Sequence, residues 1–439
     1  MSGFGRMIGT RGVGAALVLL SAVMLAACGG SSSSSSSAAS AVAQSSGAGS
    51  ATASATASGT PSAITVSASG GCGTVPAVAP DDPTGVLRSL GSKYVAAYQG
   101  FRDYPLAKSP WENWKPAHKS GWNVQIVWQP LINSSTIGYL NGLEEELKAS
   151  GKVATMQVQT MDSVTDVPQQ LQEIQTAIQR KPDLLIIFPA VPNAVVPLIA
   201  QAAKVGIPTI SEFQNTPSKY AVSVNQNFYL AQALPAGGVL GLMGGKGSVL
   251  EVHGIPGIQG EIDTVAAWAQ VLSRCPNVKV AGKVFGEYTN TLAKSMVQQF
   301  IATHPAGVQG VFDAGVMGAG ILGAFQQTGR TPPPLGDPGT TQGAIAYFHD
   351  HPSYRMVGTL TPRNEVGQDT GEVALRMLEG DGVKINTILS PTQPLVTKAN
   401  LAQVYEPSFQ EGSAVGVNPP PGHWLPNSYL DGFFVHKAS

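Results

Sequence analysis

The chain has 439 residues, of which 43% are hydrophobic and only 12% are charged, and its formal net charge is -1. This balance excludes the basic surface with which nucleic-acid-binding proteins contact phosphate, so we expect no nucleic-acid partner. The 51 glycines and 32 prolines indicate a body rich in turns. A chain of this length is long enough to form two domains with substantial cores.

The first 27 residues have the layout of a secretory signal peptide. Arg6 and Arg11 precede an apolar segment over 13–25, which is short for a membrane span, and two alanines stand before Cys28. The sequence Leu-Ala-Ala-Cys that ends at Cys28 resembles a bacterial lipobox. That resemblance implies cleavage before Cys28, lipid on the cysteine and an extracytoplasmic protein anchored to the cell membrane. A signal peptide that is cut elsewhere is the alternative.

Residues 28–72 form a linker that consists mostly of Ser, Ala, Gly and Thr. A segment of this composition buries little apolar surface, so we expect a disordered spacer with a reach of roughly 35 Å. Besides Cys28, the sequence contains only Cys72 and Cys275, and an exported location permits a disulfide between them. Two unpaired thiols are the alternative.

Residues 73–121 form an N-terminal extension in which Pro, Trp and charged residues are mixed. Beyond it, short apolar runs alternate with amphipathic helices. In the predicted helix over 167–181, four apolar residues recur at steps of four, three and four, namely Val167, Leu171, Ile174 and Ile178. Two successive runs of such units, each about one hundred residues long, predict an α/β fold with two doubly wound parallel-sheet domains.

Three stretches of the chain are similar to segments of one known family. They are GYLNGLEEELKASG (138–151), KPDLLIIFPAVPNAVVPLIAQAAKVGIPTIS (181–211) and HPAGVQGVFDAGVMGAGILGAFQQTGR (304–330). The family is that of the type I periplasmic solute-binding proteins, particularly the ribose- and galactose-type sugar receptors of ABC importers. The resemblance covers about residues 122–400 and implies two lobes that close around a ligand.

The resemblance also implies the domain boundaries. Three hinge crossings are expected, near 220–226, 358–362 and 388–396. The N-terminal lobe then comprises residues 122–223 plus 361–390. The C-terminal lobe and tail comprise residues 224–360 plus 391–439.

Ligands of parallel sheets bind beyond the carboxyl ends of the strands, so the loops after the strands contain the candidate ligand-binding residues. In the first lobe these are Asn133, Ser134, Ser135, Thr136, Glu212, Phe213 and Gln214. In the second lobe and the hinge they are Asp263, Asp313, Asp337 and Thr361. The alternatives are helix capping for the first four, an ordinary loop for the next three and a helix-dipole contact for Asp263.

The candidates agree only partly with the sugar-receptor pattern. Asn133 matches an asparagine of that pattern, but Ser135 and Thr136 replace its aromatic residues. Phe213 and Gln214 replace an Asp-Arg pair, and no arginine lies near Asp263. The resemblance therefore implies a pocket less polar than a ribose site, which suits a different polyol or a less hydroxylated molecule.

Two motifs that suggest other chemistry are incomplete. The run GGKG (244–247) resembles a phosphate loop, but Gly247 stands where Ser or Thr is required. His349 and His351 are close in sequence, but no further His or Cys cluster supports a metal site. We also find neither G-x-S-x-G nor H-E-x-x-H, so we predict no catalytic residues, no metal and no cofactor.

These observations predict a lipid-anchored, extracytoplasmic solute-binding protein that is not an enzyme. We expect it to act as a monomer, to capture a small sugar-like ligand between two lobes and to deliver it to an ABC permease. A sensory receptor of the same fold, which reports ligand occupancy to a signalling partner, is the first alternative. A surface enzyme on a doubly wound fold is the second, since fold alone does not determine function.

Overall fold

The computed structural model describes residues 66–67, 71–418 and 424–436. The predicted signal peptide, the lipidation site Cys28 and most of the predicted linker lie outside the described residues. Within these ranges, no helix combines the length and the apolar character needed to cross a bilayer.

Short elements precede the first lobe, of which the first lies in the predicted linker 28–72 and the others in the N-terminal extension 73–121. They are β1 (Val66–Ser67), β2 (Val75–Pro76), α1 (Val86–Leu90), α2 (Ser92–Ala97) and a 3-10 helix at Pro110–Asn113. At the start of the extension, Cys72 forms a disulfide with Cys275, with the two Cα atoms 4.7 Å apart. The bond joins the extension to the body of the protein across 203 residues of sequence.

The first lobe begins with alternating strands and helices. They are β3 (Trp122–Trp128), α3 (Ser134–Ala149), β4 (Val153–Thr160), α4 (Val167–Gln179), β5 (Leu184–Ile187), α5 (Pro192–Lys204), β6 (Thr209–Glu212) and β7 (Ala221–Asn225). The second lobe repeats the pattern. It contains α6 (Phe228–Leu242), β8 (Gly247–His253), α7 (Gln259–Leu272), β9 (Val278–Phe285), α8 (Asn290–Thr303), β10 (Gly310–Asp313), α9 (Gly318–Gln327), β11 (Leu335–Asp337), α10 (Gln342–Asp350) and β12 (Met356–Thr359).

The remaining elements return to both lobes. They are α11 (Arg363–Glu379), β13 (Thr387–Leu389), β14 (Leu395–Val396), α12 (Leu401–Val404), α13 (Asn427–Leu430) and a 3-10 helix at Asp431–Phe433. The first sheet has the order β13-β7-β6-β5-β3-β4 with all neighbours parallel. The second has the order β14-β12-β11-β10-β8-β9, in which only β14 is antiparallel. The predicted α/β fold with two doubly wound sheets is confirmed.

The chain passes between the two sheets after β7, after β12 and after β13. These passages lie at 226–227, 360–362 and 390–394. Helix α11 therefore belongs to the first lobe, where it packs on α3. The two helices approach so closely that a Cβ on Gly142 would lie 1.9 Å from the carbonyl oxygen of Asn364, so only glycine fits there.

Two local predictions are corrected by the structure. The sequence RTPPPLGDPGTTQ (330–342) indicates no clear strand, yet this segment contains β11, a three-residue strand that is too short for its apolar pattern to be recognised beside a proline run. The tail was grouped with the second lobe, but its aromatic residues pack in the first. The ring centroids of Tyr429 and Phe433 lie 4.7 and 4.9 Å from that of Tyr94, which belongs to the first-lobe core.

Candidate functional site

A cavity of about 130 Å³ lies between the two lobes. Its first-lobe wall consists of residues that follow strands of the first sheet, with Tyr139 from α3. These are Gln129, Ile132, Asn133, Ser135, Thr136, Tyr139, Val164, Phe188, Phe213, Gln214 and Gln226. The second-lobe and hinge wall is formed by Phe228, Gln232, Ile255, Ile258, Gly260, Tyr288, Ala314, Gly315, Val316, Pro338, Gly339 and Thr361. The cavity thus lies beyond the carboxyl ends of both parallel sheets, where open α/β folds bind ligands.

Six of the residues singled out from the sequence line this cavity. They are Asn133, Ser135, Thr136, Phe213, Gln214 and Thr361. The other five do not belong to its lining, namely Ser134, Glu212, Asp263, Asp313 and Asp337. The first group consists of polar uncharged residues and one phenylalanine, whereas the second includes every carboxylate that the sequence suggested.

None of the described side chains that line the cavity is charged. The polar ones are amides and hydroxyls, and the rest are aromatic, aliphatic or glycine. A charged ligand in this space would lose its hydration without gaining an opposite charge, which costs several kcal/mol or more. The lining therefore favours a neutral ligand.

Asn133 has two roles. Its side chain accepts hydrogen bonds from the backbone N–H groups of Ser135 and Thr136, both at 3.0 Å, and so caps α3. The Thr136 hydroxyl closes the capping box by accepting from the Asn133 backbone N–H at 3.4 Å. This is the capping alternative considered from the sequence. Because Asn133 also lines the cavity, the cap fixes the first turn of α3 at the cavity wall.

Two buried glutamines each have a side-chain carbonyl oxygen without a hydrogen-bond partner. Gln214 is 5% exposed and Gln232 is 3% exposed, and the Oε1 atom of each lacks a hydrogen-bond partner. The orientation of Gln232 is fixed, because its Nε2 donates to the backbone carbonyl of Ala314 at 2.7 Å. A buried acceptor without a partner costs about 1–3 kcal/mol, and a ligand hydroxyl that donates to it removes that cost.

An aromatic cluster lines the cavity, with Tyr139, Phe188 and Phe213 from the first lobe and Phe228 from the second. The ring centroids of Tyr139 and Phe213 are 4.5 Å apart, and Phe213 lies 5.5 Å from Phe228 and 6.4 Å from Phe188. Tyr288 adds an aromatic ring from the second lobe. These rings offer flat apolar surface to the C–H faces of a ligand.

Backbone strain is concentrated in the loops of the cavity. Phe213, Tyr288 and Val316 have φ angles of 46°, 56° and 56°, in the left-handed region that side chains rarely adopt. Such strain costs about 1–3 kcal/mol per residue and persists where the surrounding structure enforces it, commonly at functional sites. Three strained residues from three different loops thus line the same cavity.

Asp313 and Asp337 lie behind the second-lobe wall. Asp313 accepts hydrogen bonds from the backbone N–H groups of Gly315 and Met317, at 2.8 and 3.0 Å. Burial, and then repulsion by Asp313, raises the pKa of Asp337 well above its ordinary value. Asp337 neighbours Asp313, whose carboxyl group holds the turn that carries Val316. These aspartates position the wall without facing the cavity.

The remaining three candidates are also placed away from the lining. The Glu212 carboxyl is fully buried, and burial raises its pKa well above its ordinary value. Asp263 accepts a hydrogen bond from the Gln259 Nε2 at 2.7 Å. Ser134 is half-buried in the first turn of α3.

The loop at 254–258 is clamped by a buried histidine at its start, which binds Glu261 in the first turn of α7. His253 Nδ1 lies 2.5 Å from Glu261 Oε1, and its Nε2 lies 3.1 Å from Glu251 Oε2. Burial alone would lower the pKa of His253, but its bonds to the two glutamates outweigh this and raise it to about 8. Glu261 also accepts from the backbone N–H of Gly254 at 2.7 Å.

Gly254 is required by this clamp. A Cβ at Gly254 would lie 2.0 Å from the Cζ atom of Tyr288. The glycine therefore allows the Tyr288 ring to lie directly against the loop, beside the cavity residues Ile255 and Ile258.

Sequence reasoning missed several residues of the lining. Gln232 carried a usable signal, because it is the only polar side chain besides Tyr229 in the apolar helix α6. Gln129 directly follows β3, and Gln226 lies in the first passage between the lobes. The sequence around Tyr288 did not indicate a cavity residue, because the position of its ring depends on the close approach of Gly254, which follows a different strand.

The described part of the chain contains no group of three or more His, Cys, Asp or Glu residues that could hold a metal ion. His349 and His351 have ordinary partners. His349 stacks on Tyr405 with ring centroids 3.6 Å apart, and His351 lies 3.0 Å from Glu411.

Residues 131–382 match the family model described as the periplasmic binding protein domain. The chain is also 27% identical over 241 residues to the xylitol-binding protein of Mycolicibacterium smegmatis. The matched region covers 54% of this chain and 67% of that protein. This relative is a solute-binding protein, and family and relative together confirm the prediction that the chain is not an enzyme.

Solved structures show the same fold. An ABC transporter solute-binding protein from Thermobispora bispora is 23% identical, covers 66% of this chain and 89% of its own, and has a TM-score of 0.59. A second, from Actinobacillus succinogenes with bound D-allose, is 19% identical over 64% of this chain and 99% of its own, with a TM-score of 0.57. A third, from Bacillus halodurans with bound myo-inositol, is 15% identical. The match covers 65% of this chain and 98% of that one, with a TM-score of 0.58. With more than half of its residues matched by the family model and a fold of the same kind, the chain belongs to the periplasmic binding protein domain family.

Proposed function

We propose that this protein captures a neutral sugar or polyol between its two lobes and delivers it to the permease of an ABC importer. The observation that carries the proposal is the uncharged cavity, which combines buried amide acceptors with aromatic surface. The xylitol-binding relative, and the sugar or inositol present in solved structures of the same fold, support this class of ligand.

The amide acceptors define what the ligand must offer. Gln214 lies in the first lobe and Gln232 in the second, and each has an Oε1 atom ready to accept from a hydroxyl. Each ligand hydroxyl supplies one donor and two acceptor positions, so the same molecule can also receive bonds from Asn133, Ser135, Thr136 and Thr361. A ligand that donates to both glutamines at once bridges the lobes. Binding would therefore favour the closed conformation.

The aromatic cluster defines the rest of the ligand. The rings around Phe213 can cover the apolar C–H face of a sugar or of a folded polyol chain. The ligand is thus a neutral molecule with hydroxyls on one side and exposed C–H groups on another.

Titration calorimetry with xylitol and with xylonate tests this proposal. The two molecules share a five-carbon hydroxylated chain, but xylonate carries a carboxylate. We expect xylitol to bind at one site per chain and xylonate to bind at least about one hundredfold more weakly, because its charge would be buried without a partner. Equal affinity for the two molecules would contradict the neutral cavity, as would binding of xylonate alone.

Delivery to a permease is tested separately. We expect deletion of this protein in its own cells to abolish uptake of the radiolabelled ligand identified by calorimetry. Re-expression should restore uptake, whereas re-expression of a Gln232→Leu variant should restore less of it when the ligand concentration is below the dissociation constant of the variant. Unchanged uptake in the deletion strain would contradict the transport role and favour the sensory alternative.

We also propose that residues 1–27 are a signal peptide, that Cys28 carries lipid and that residues 28–72 tether the lobes to the membrane surface. The lipobox-like sequence that ends at Cys28 supports this proposal. Cys28→Ala should release the protein from the membrane fraction into the medium, since a lipid chain is what would hold it there. A Cys72→Ala variant is the matched control, because its cysteine pairs with Cys275. Retention of Cys28→Ala in the membrane fraction would contradict lipidation.

A further inference from the structure

The N-terminal extension adds a tie between the lobes that lies outside the family-matched segment 131–382. Its first residues belong to the second lobe, since Cys72 is bonded to Cys275 and Val75 is fully buried in the second-lobe core. Farther along, Phe101 and Tyr104 are buried in the first-lobe core. The extension therefore connects the lobes in addition to the three passages of the hinge.

Asp103 stands at the point where this extension meets both lobes. Its Oδ2 accepts a hydrogen bond from the Nδ2 of Asn215 at 2.7 Å, and Asn215 in turn accepts from Asn225 at the end of β7. From the second lobe, Asp263 on α7 reaches the same place. The carboxyl groups of Asp103 and Asp263 form a hydrogen bond with each other.

Two carboxyl groups can bond to each other only if one of them carries a proton. With both ionised, two like charges at hydrogen-bonding distance repel. Neutral amides bracket the pair on both sides, because Asn215 donates to Asp103 and Gln259 donates to Asp263 at 2.7 Å. The contact across the lobes thus depends on a shared proton.

The pair lies beside the cavity in both lobes. Asn215 directly follows the cavity residue Gln214, and Gln259 stands between the cavity residues Ile258 and Gly260. The pair therefore joins segments that adjoin the two walls of the cavity.

We propose that Asp103 is a positioning residue that, by sharing a proton with Asp263, holds the two lobes together beside the cavity and makes their closure dependent on acidity. That the closed lobes retain a ligand rests on the proposed function, whereas the closure of the lobes does not.

The groups around the pair support this assignment. Tyr104 faces both carboxyls, Tyr288 faces Asp263, and Arg102 contributes its backbone N–H to Asp103. Burial raises the pKa of both tyrosines, so they stay neutral over the relevant range.

Burial also raises the pKa of Asp103, and burial followed by repulsion from Asp103 raises that of Asp263. If opening the lobes exposes the pair, both values return toward the ordinary carboxyl pKa of about 4. Closure then binds a proton, so its stabilisation is present at low pH and is lost as the pH rises.

Interlobe distances measured by electron-electron resonance in the ligand-free full chain test the proposal. Spin labels attach to noncanonical residues introduced at Glu145 on α3 and Ala302 on α8, which are exposed in the first and second lobe. In the otherwise unchanged chain we expect the ratio of short to long distances to fall at least about tenfold between about pH 5 and pH 9.

Asp103→Asn and Asp263→Asn should reduce this dependence, because burial still raises the pKa of the remaining carboxyl but repulsion by a second carboxyl no longer does. In either variant the new amide donates to the remaining carboxylate, so the contact no longer needs a shared proton. Thermal unfolding of both variants at about pH 7 shows whether they fold, and the second variant serves if the first does not.

A pH-independent distance in the unchanged chain would overturn the proposal. The same pH dependence in both folded asparagine variants would also overturn it. Because no ligand is present, neither result bears on the sugar-binding proposal, which calorimetry tests separately.

Discussion

Single side chains decide what this cavity can accept. Gln232 is surrounded by apolar residues of α6, yet its amide is oriented by Ala314 and its Oε1 remains without a partner. Evolution rarely leaves such a group buried unless something satisfies it, because the cost is about 1–3 kcal/mol. This residue is therefore the sharpest local evidence for a ligand hydroxyl.

Gln232→Leu should weaken xylitol binding about tenfold or more, because leucine has a similar size but cannot accept the ligand hydroxyl. Titration calorimetry measures the change. Gln299→Leu, which alters an exposed amide on α8, is the matched control and should leave affinity unchanged. An unaltered dissociation constant for Gln232→Leu would place the ligand elsewhere.

Asn133 separates capping from ligand contact. Asn133→Ala removes both functions, so we expect weaker xylitol binding and a loss of about 1 kcal/mol in the free energy of unfolding. Asn133→Ser keeps an oxygen that caps α3 but lacks the amide, so stability should be nearly restored while binding stays weak. Calorimetry together with urea unfolding distinguishes the two effects. Full recovery of binding in Asn133→Ser would show that Asn133 caps α3 and that its amide does not contact the ligand.

The sequence revealed the positions of candidate residues better than their orientations. Asn133, Phe213 and Gln214 follow strands and line the cavity. Asp313 also follows a strand, but its carboxylate turns back to bind the N–H groups of its own loop. Position in the chain places a residue at the end of a sheet, whereas the hydrogen bonds of a turn decide which way its side chain points.

At the scale of elements, the loop between β8 and α7 is held by charge. His253 lies between Glu251 and Glu261, and Glu261 also binds the loop backbone at Gly254. The clamp presents Ile255 and Ile258 to the cavity. Its strength depends on the proton that His253 carries.

The clamp predicts a dependence of stability on pH. The pKa of His253 is raised from 6.5 to about 8, so its stabilisation is fully present below about pH 6.5 and is lost as the pH rises through about 8. The total loss is about 2 kcal/mol. Urea unfolding of the parent chain and of His253→Gln over this range measures it, and the variant should lack this part of the slope. Parallel pH profiles for the two proteins would contradict the clamp.

At the scale of the whole molecule, the regular alternation of strands and helices was sufficient to predict the two parallel sheets. It was not sufficient to place the tail, whose Tyr429 and Phe433 pack on Tyr94 from the opposite end of the chain. Periodicity reports the burial of a segment against its sequence neighbours. Contacts between short helices that are distant in sequence leave no such period.

The central claim is that the cavity between the lobes binds a neutral hydroxylated ligand. The most direct measurement is thermal unfolding of the full chain against neutral monosaccharides and polyols, with charged sugars, nucleosides and amino acids as comparisons. A ligand at one hundred times its dissociation constant stabilises the native state by about 2.7 kcal/mol, which gives a clear rise in the unfolding temperature. We predict such a rise with at least one neutral sugar or polyol, and a rise about half as large or smaller in Gln232→Leu at the same ligand concentration, because its binding is about tenfold weaker or more. A rise only with charged sugars, nucleosides or amino acids would contradict the claim.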